Sequence, residues 1–302
     1  MRSNTLARLA ISLGTLVGCG DAEDAFLEEK EGTVEGVAVM GLVEENAIQP
    51  NAIQPNAIQP NAIQPNSMQP NAIQPNAIQP NAIQPNALTP SAFSPDTLAA
   101  LQDPGETGRG SRMFLRYAVG CALDPSQSFA VTWSDLEGVG QTEIYVGQLG
   151  LAPSWATGPL DETGQRWVSA CLAARTNWYG VTVLISMRAS HSAIKHAGTL
   201  EKFIFPREEG AFWGNLFAPT PYLHSCVYVP NTDYARSVLR DCAAGHVGPD
   251  GIESCGIIER RGSCDAVCDP LDTNNGFRPK CVYDATVSPP RKTTEVVTVF
   301  LP

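Results

Sequence analysis

The chain has 302 residues, of which 43% are hydrophobic and 17% are charged, and it carries a formal net charge of -11 at pH 7. This acidic balance argues against a nucleic-acid partner, because phosphate binding needs a basic face. The hydrophobic content suits one globular domain, and a good part of the chain is expected to lie outside it.

The N-terminus has the pattern of a secretory signal peptide. Two arginines precede an apolar run over residues 9–17, which is too short to span a bilayer. The tripeptide LVG then directly precedes Cys19, and this arrangement resembles the lipobox of bacterial lipoproteins. The resemblance implies that residues 1–18 are removed and that Cys19 carries acyl chains such as palmitate. The alternative is an ordinary signal peptide with a chance cysteine.

The residue after Cys19 bears on the destination of the protein. In enterobacterial lipoproteins an aspartate at this place favours retention in the inner membrane, and this chain has Gly20 there. By resemblance we expect an outer-membrane lipid anchor, with the protein facing the periplasm or the cell surface. No later segment has the apolar length needed to span a membrane.

Residues 19–45 are predicted to form an acidic, disordered tether. Between residues 21 and 45 there are nine acidic residues and one basic residue, Lys30. Such a segment repels itself and stays solvated.

Residues 46–95 are predicted to be a linker built from a five-residue repeat. The unit NAIQP recurs and then decays through NALTP to SAFSP. A proline in every unit prevents both a continuous helix and regular strand pairing. The residue order also differs from that of pentapeptide-repeat β-helices. We expect a semi-extended spacer with polyproline II character, of roughly 155 Å if fully extended. A binding array of the repeated isoleucines and prolines is the alternative.

Residues 96–302 are predicted to form a single α+β domain. Apolar and β-branched runs predict strands at residues 113–123, 128–133, 142–149, 181–187, 222–229 and 295–301. Helical spacing predicts one helix in TGQRWVSACLAART, with Thr163 as its cap, and another in NTDYARSVLRDCAAG. Residues 248–284 are predicted to be loop-rich and held by cross-links.

The domain has an even number of cysteines, which predicts four disulfides in an exported protein and leaves their pairing open. They are Cys121, Cys171, Cys226, Cys242, Cys255, Cys264, Cys268 and Cys281. A competing hypothesis is a zinc site formed by the last four of these, with His246 nearby. Their spacing does not match known zinc motifs, and an oxidising compartment disfavours free thiolates, so we expect no metal and no cofactor.

No familiar catalytic motif such as GxSxG is present, and the sequence favours a non-enzymatic protein. The best nucleophile candidate is Cys171, with one histidine as its base, although its use would leave seven cysteines to pair. The candidate bases are His191, His196, His224 and His246. The neighbouring Glu208 and Glu209 are expected to be solvated. An exported envelope hydrolase using Cys171 is therefore the alternative function.

Two of the five tryptophans, Trp155 and Trp213, lie in segments with turn residues and are candidate ligand contacts. The segment from Asp269 to Gly276 has the composition of a calcium loop but fails the EF-hand spacing, so a turn is favoured.

The lipobox, the repeat and a cysteine-bearing domain with the segments LRYAVGCAL, GLAPSW, RWVSACLAARTN and YLHSCVYVP resemble secreted lipoproteins typical of myxobacteria. That family has no established activity, so the resemblance implies no substrate and no catalytic residue. We expect a surface-anchored lipoprotein whose disulfide-stabilised domain binds or recognises an extracellular glycan or protein outside the outer membrane.

Overall fold

The computed structural model describes residues 42–46, 88, 95–179, 183–195 and 197–302. The predicted signal peptide, Cys19, His196, and most of the tether and repeat lie outside these residues. The described chain is an α+β domain with four disulfides, as predicted. None of its described helices combines the length and the apolar character that a membrane crossing requires.

The helices of the described chain are α1 (Pro95–Gln102), α2 (Glu106–Ala122), α3 (Glu162–Arg175), α4 (Thr199–Ile204), α5 (Thr232–Ser237) and α6 (Cys264–Val267). The strands are β1 (Leu42–Asn46), β2 (Ser128–Ser134), β3 (Gly140–Val146), β4 (Val183–Arg188), β5 (Arg207–Asn215), β6 (Tyr222–Val227), β7 (His246–Gly248), β8 (Gly251–Glu253), β9 (Ile258–Ser263), β10 (Cys281–Asp284), β11 (Arg291–Thr293) and β12 (Val296–Leu301).

A six-stranded sheet with the order β1-β4-β12-β5-β6-β9 forms the centre of the domain. Its neighbours pair antiparallel except β6 and β9, which run parallel. The hairpins β2–β3, β7–β8 and β10–β11 are separate two-stranded sheets. The strands predicted at 128–133, 142–149, 181–187, 222–229 and 295–301 are confirmed as β2, β3, β4, β6 and β12, with shifts at their ends.

One face of the sheet is covered by α3, which packs against β5, β12 and β6. This helix is confirmed, but its cap is Asp161 rather than Thr163, because the Asp161 carboxylate accepts the amide of Gly164 at 2.7 Å. Its residues from Trp167 to Arg175 are all buried, which fits a helix between the sheet and a second helix layer. The disulfide between Cys121 and Cys171 joins α2 to α3.

The segment from residue 113 to 123 is helical, so the strand predicted there is wrong. Arg109, Met113 and Arg116 are exposed at intervals of three and four residues, whereas Phe114, Ala118 and their neighbours are buried. This is the period of a helix. Because both α1 and α3 pack on α2, most of its residues are apolar, and the helical period is not evident from the sequence.

The other face of the sheet carries a smaller core. Its members come from β5, β6, β12 and the cross-linked C-terminal segment: Ala211, Trp213, Cys226, Cys264, Cys268, Cys281 and Val296. Two disulfides, Cys226–Cys264 and Cys268–Cys281, lie within this core. The cross-links predicted for residues 248–284 are confirmed, but the segment is not held by cross-links alone, because its strand β9 pairs with β6 in the central sheet.

Strand β5 was not predicted from the sequence. Its residues from Glu208 onward are buried, so it lacks the alternation of a half-exposed strand. A Cβ atom at Gly210 would lie 2.0 Å from the carbonyl oxygen of Cys226 on β6, so the close strand approach requires glycine there.

The prediction that Glu208 and Glu209 are solvated is wrong. Glu208 accepts from Arg278 at 2.8 Å, and Glu209 accepts from Arg240 at 2.8 Å. Both carboxylates are buried, and each is compensated by a buried arginine.

Two short pieces of the predicted tether and linker contact the domain. Leu42–Asn46 pairs with β4 as the edge strand β1. Leu88 in the ninth repeat unit is buried, and its amide donates to the carbonyl oxygen of Trp155 at 3.1 Å. The structure therefore differs from the predicted boundaries at these residues.

Candidate functional site

Four side chains, Trp178, Tyr179, Asp241 and His246, form a partly exposed cluster that we name the aromatic site. His246 Nδ1 lies 2.7 Å from Asp241 Oδ2, and the hydroxyl of Tyr179 donates to the same oxygen at 3.1 Å. The indole of Trp178 stacks on the imidazole, with ring centroids 4.2 Å apart and planes 9° apart. The ring of Tyr179 meets the imidazole edge-on at 5.5 Å.

The end of α3 places the two aromatic residues. Arg240 donates to the carbonyl oxygens of Ala174 at 3.0 Å and Thr176 at 2.8 Å. The same guanidinium is held by the buried carboxylate of Glu209. Because these bonds fix the last turn of α3, they also fix the direction in which the chain enters Trp178.

Asn177 connects this segment to the one that carries the aspartate. Its amide nitrogen donates to the carbonyl oxygen of Leu239 at 3.1 Å, and its side-chain oxygen accepts the backbone amide of Tyr179 at 2.8 Å. Leu239 has a φ of 61°, which turns the chain after α5. Helix α5 is therefore shorter than the helix predicted for NTDYARSVLRDCAAG, and Asp241 lies in the turn that follows it.

A disulfide and a hairpin hold the other side of the aromatic site. Cys242, next to Asp241, is bonded to Cys255. His246 is the first residue of β7 and pairs with Glu253 of β8. The site is thus fixed by the helix end, a disulfide and a short hairpin.

The aromatic site combines an exposed ring with a buried charge. Tyr179 is 38% exposed, whereas Asp241 is 2% exposed. Asp241 Oδ1 has no hydrogen-bond partner among the described residues, and a buried unpaired oxygen of this kind favours a donor from a ligand or water. Burial, followed by the negative charge of Asp241, raises the pKa of Tyr179, so its hydroxyl keeps the proton that it donates.

The chemistry of the aromatic site suits binding. A carboxylate only accepts hydrogen bonds, so the Nδ1 atom of His246 carries the shared proton and the imidazole is oriented by this bond. Flat rings beside polar groups are a common binding surface.

The two tryptophans predicted as ligand contacts do not face solvent. Trp155 is 2% exposed and packs edge-on against Phe217. Trp213 is 0% exposed on β5, and its indole nitrogen donates to the carbonyl oxygen of Val282 at 3.0 Å. The glycines and prolines near Trp155 and Trp213 lie at the ends of buried elements and do not form exposed loops.

The eight domain cysteines are all disulfide-bonded, in the pairs Cys121–Cys171, Cys226–Cys264, Cys242–Cys255 and Cys268–Cys281. Cys171 is therefore bonded to Cys121 and offers no free thiol, which argues against its role as the nucleophile of a hydrolase. The four cysteines considered for zinc have no free thiolates either.

The segment from Asp269 to Gly276 contains a turn, as favoured from the sequence. Asp272 Oδ1 accepts the backbone amides of Asn274 at 2.9 Å and Asn275 at 3.2 Å. The side chain of Asn275, followed by the backbone amides of Asn275 and Asn274, donates to the carboxylate and lowers the pKa of Asp272.

Sequence reasoning missed most of the aromatic site. His246 was considered only as a zinc ligand or a base, and Asp241 was not singled out. The sequence feature that could have indicated the site is the pair of adjacent aromatic residues, Trp178 and Tyr179, just after a predicted helix. The separation of 62 positions between Tyr179 and Asp241 conceals their contact in the sequence.

No protein-family model matches the chain, and neither a curated protein nor a solved structure matches it. The resemblance to myxobacterial lipoproteins therefore stays a prediction from sequence motifs, and function is inferred from the residues of the aromatic site.

Proposed function

We propose that the protein is a surface lipoprotein whose disulfide-stabilised domain binds an extracellular carbohydrate at the aromatic site. The observation that carries this proposal is the arrangement of Trp178, Tyr179 and His246 around a buried Asp241 carboxylate. The lipid anchor at Cys19 is proposed from its lipobox-like sequence.

A carbohydrate fits the chemistry of the aromatic site. The apolar faces of sugar rings pack on flat aromatic rings, and the exposed part of Tyr179 offers such a face. Sugar hydroxyls both donate and accept, so they can pair with the polar atoms of His246 and Tyr179 at the partly exposed edge of the aromatic site. A purely apolar ligand would leave these groups without partners.

The disulfides give weak support for an exported location, because such bonds persist in oxidising compartments. Residues 20–41 separate Cys19 from β1 and can span about 70 Å at ~3.3 Å per residue. This length would be enough to hold the domain clear of the lipid headgroups. The repeat is therefore not needed to separate the domain from the membrane. It contacts the domain at Asn46 and Leu88.

The experiment is a titration of the mature chain, carrying Cys19→Ser for solubility, with neutral hexasaccharides of glucose, xylose and N-acetylglucosamine in a calorimeter. We expect binding of at least one of them and a loss of roughly tenfold or more in Tyr179→Ala, because stacking contributes about 1–3 kcal/mol. The matched control is Tyr283→Ala, which removes another partly buried tyrosine, stacked on Tyr222 rather than on His246.

Equal affinity of Tyr179→Ala and the unsubstituted chain would contradict the proposed site. Absence of binding to every hexasaccharide, together with Tyr179-dependent binding of a surface protein, would replace the carbohydrate with a protein ligand.

A further inference from the structure

The domain holds one unit of the repeat in its core. Leu88 is the third residue of the unit NALTP and is 6% exposed, within the hydrophobic core that also contains Trp155 and Phe217. Its backbone amide donates to the carbonyl oxygen of Trp155 at 3.1 Å. We name this place the Leu88 pocket, meaning the recess in the core that Leu88 fills and the Trp155 carbonyl oxygen beside it.

A short 3₁₀ turn, Pro153–Ala156, supplies the acceptor of the Leu88 pocket. The amide of Trp155 donates to the carbonyl oxygen of Ala152 at 3.0 Å, and its indole packs edge-on against Phe217. These contacts hold the turn through residues of the domain itself. Its carbonyl oxygen is therefore in place for a backbone donor, whichever unit of the repeat supplies that donor.

The units upstream of Leu88 carry the same two features. Residues 46–85 consist of seven copies of NAIQP and one of NSMQP, so the third residue of each unit is isoleucine or methionine. Exchanges among leucine, isoleucine and methionine conserve volume and are well tolerated in cores. The proline is the fifth residue of each unit, so the third residue keeps its N–H donor. Both contacts of Leu88 are made by this third position.

We propose that the Leu88 pocket is a binding site for the repeat unit, and that upstream units, beginning with the one that contains Ile83, exchange with Leu88 in it. These units belong to the same chain as the pocket, which gives them an effective concentration of about millimolar. Exchange within one molecule is therefore favoured over capture of a unit from a second copy at ordinary protein concentrations.

Exchange would move the docked point along the chain in steps of five residues. When Ile83 replaces Leu88, the segment between β1 and the pocket shortens by five residues, and the segment between the pocket and α1 lengthens by five. The core beside Trp155 stays covered in either register. The repeat thus supplies interchangeable occupants for one site, and this role needs neither the lipid anchor nor the carbohydrate site.

The first test compares urea unfolding of variants of the mature chain that carries Cys19→Ser. Leu88→Ser is made once with the natural repeat and once with a serine repeat, in which the third residue of each upstream unit is changed to serine. The residues changed in the serine repeat are Ile48, Ile53, Ile58, Ile63, Met68, Ile73, Ile78 and Ile83.

We expect Leu88→Ser to lower the urea midpoint clearly with the serine repeat and much less with the natural repeat, because an upstream isoleucine then fills the pocket. The matched control is the serine repeat with Leu88 intact, which should unfold as the parent does. Leu88→Ile should also unfold as the parent does, since the pocket accepts isoleucine.

The second test observes the pocket directly through the ¹H–¹⁵N signal of the Trp155 indole, assigned with Trp155→Phe. The chain with Leu88→Ser and the serine repeat is titrated with the synthetic peptide NAIQPNAIQP. We expect the Trp155 signal to shift progressively as the peptide reaches about millimolar concentration. The control peptide NASQPNASQP should leave it in place. Leu88→Ala in the same background removes less of the side chain and serves if the serine variant does not fold.

An equal loss of stability from Leu88→Ser in both backgrounds would overturn the inference, as would a Trp155 signal that NAIQPNAIQP does not move. Rescue that depends on protein concentration, with dimers in analytical ultracentrifugation, would overturn exchange within one chain and assign the unit to a second copy. These assays contain no carbohydrate and no lipid, so their failure is distinguishable from failure of the proposed function.

Discussion

Asp241 Oδ2 lies 2.7 Å from His246 Nδ1, and this contact sets the chemistry of the aromatic site. The buried carboxylate fixes the ring orientation, with Nδ1 as the donor to Asp241. Trp178 then covers one face of the same ring. A ligand meets a preorganised set of groups, which reduces the ordering required on binding.

Asp241→Asn should weaken carbohydrate binding by roughly tenfold, because an amide no longer anchors Nδ1–H as a charged acceptor does. The two ring nitrogens of His246 should also change their ¹⁵N shifts toward a tautomer mixture. Nitrogen-detected NMR of the histidines measures this directly. Unchanged His246 shifts would mean that Asp241 does not set the tautomer.

Arg240→Met should destabilise the fold by about 3–5 kcal/mol, because it leaves the Glu209 carboxylate buried without its cation. The double variant Arg240→Met/Glu209→Leu should recover a large part of this loss, since no uncompensated charge remains. Urea unfolding of the three proteins gives the free energies. A double variant as unstable as the single one would show that the bonds from Arg240 to the end of α3 dominate.

Acidification should destabilise the domain through His224. Burial, followed by the positive charge of Arg261, lowers the pKa of His224 from 6.5 to about 4. The unfolded chain therefore takes up a proton below about pH 6.5, whereas the folded chain stays neutral at His224 down to about pH 4. The contribution to the free energy of unfolding is complete above pH 6.5 and is lost as the pH falls toward 4.

This loss amounts to about 3 kcal/mol, at about 1.4 kcal/mol per pH unit. Urea unfolding between neutral pH and pH 4 measures it, with His224→Gln as the reference that lacks the titrating ring. Parallel pH profiles for the two proteins would contradict the assignment. Carboxylates titrate in both proteins, so the difference between the profiles isolates His224.

Removing the Cys121–Cys171 disulfide should cost more stability than removing Cys268–Cys281. The first closes a separation of 50 residues and the second one of 13. The chain-entropy relation gives about 4 and about 3 kcal/mol, respectively. Paired serine substitutions and urea unfolding test the order, and the reverse order would point to packing around the sulfurs as the larger effect.

The sequence predicted the fold class and five of the twelve described strands, because alternation and turn residues are local signals. It failed at α2 and β5 for the same physical reason, which is burial on more than one side. Arg112 of α2 is 3% exposed, with its guanidinium over the ring of Trp133 at 3.7 Å. Sequence patterns assume that charged residues are exposed, and the buried Arg112 does not follow this rule.

The candidate site was harder to predict than the fold. Tyr179 and Asp241 meet only because Arg240 and Asn177 bring together the end of α3 and the turn after α5. These contacts depend on tertiary structure, and no spacing rule encodes them. Turn residues directed attention to Trp155, which the fold buries, rather than to Trp178.

The most direct measurement is a ¹H–¹⁵N spectrum of the indole N–H groups, of which the chain has five, during titration with the bound hexasaccharide. Trp178→Phe assigns the decisive signal. The account predicts that the Trp178 indole signal shifts with saturation, while those of the buried Trp155 and Trp213 stay in place. A shift of Trp155 or Trp213 with Trp178 unmoved would contradict the aromatic site as the place of binding.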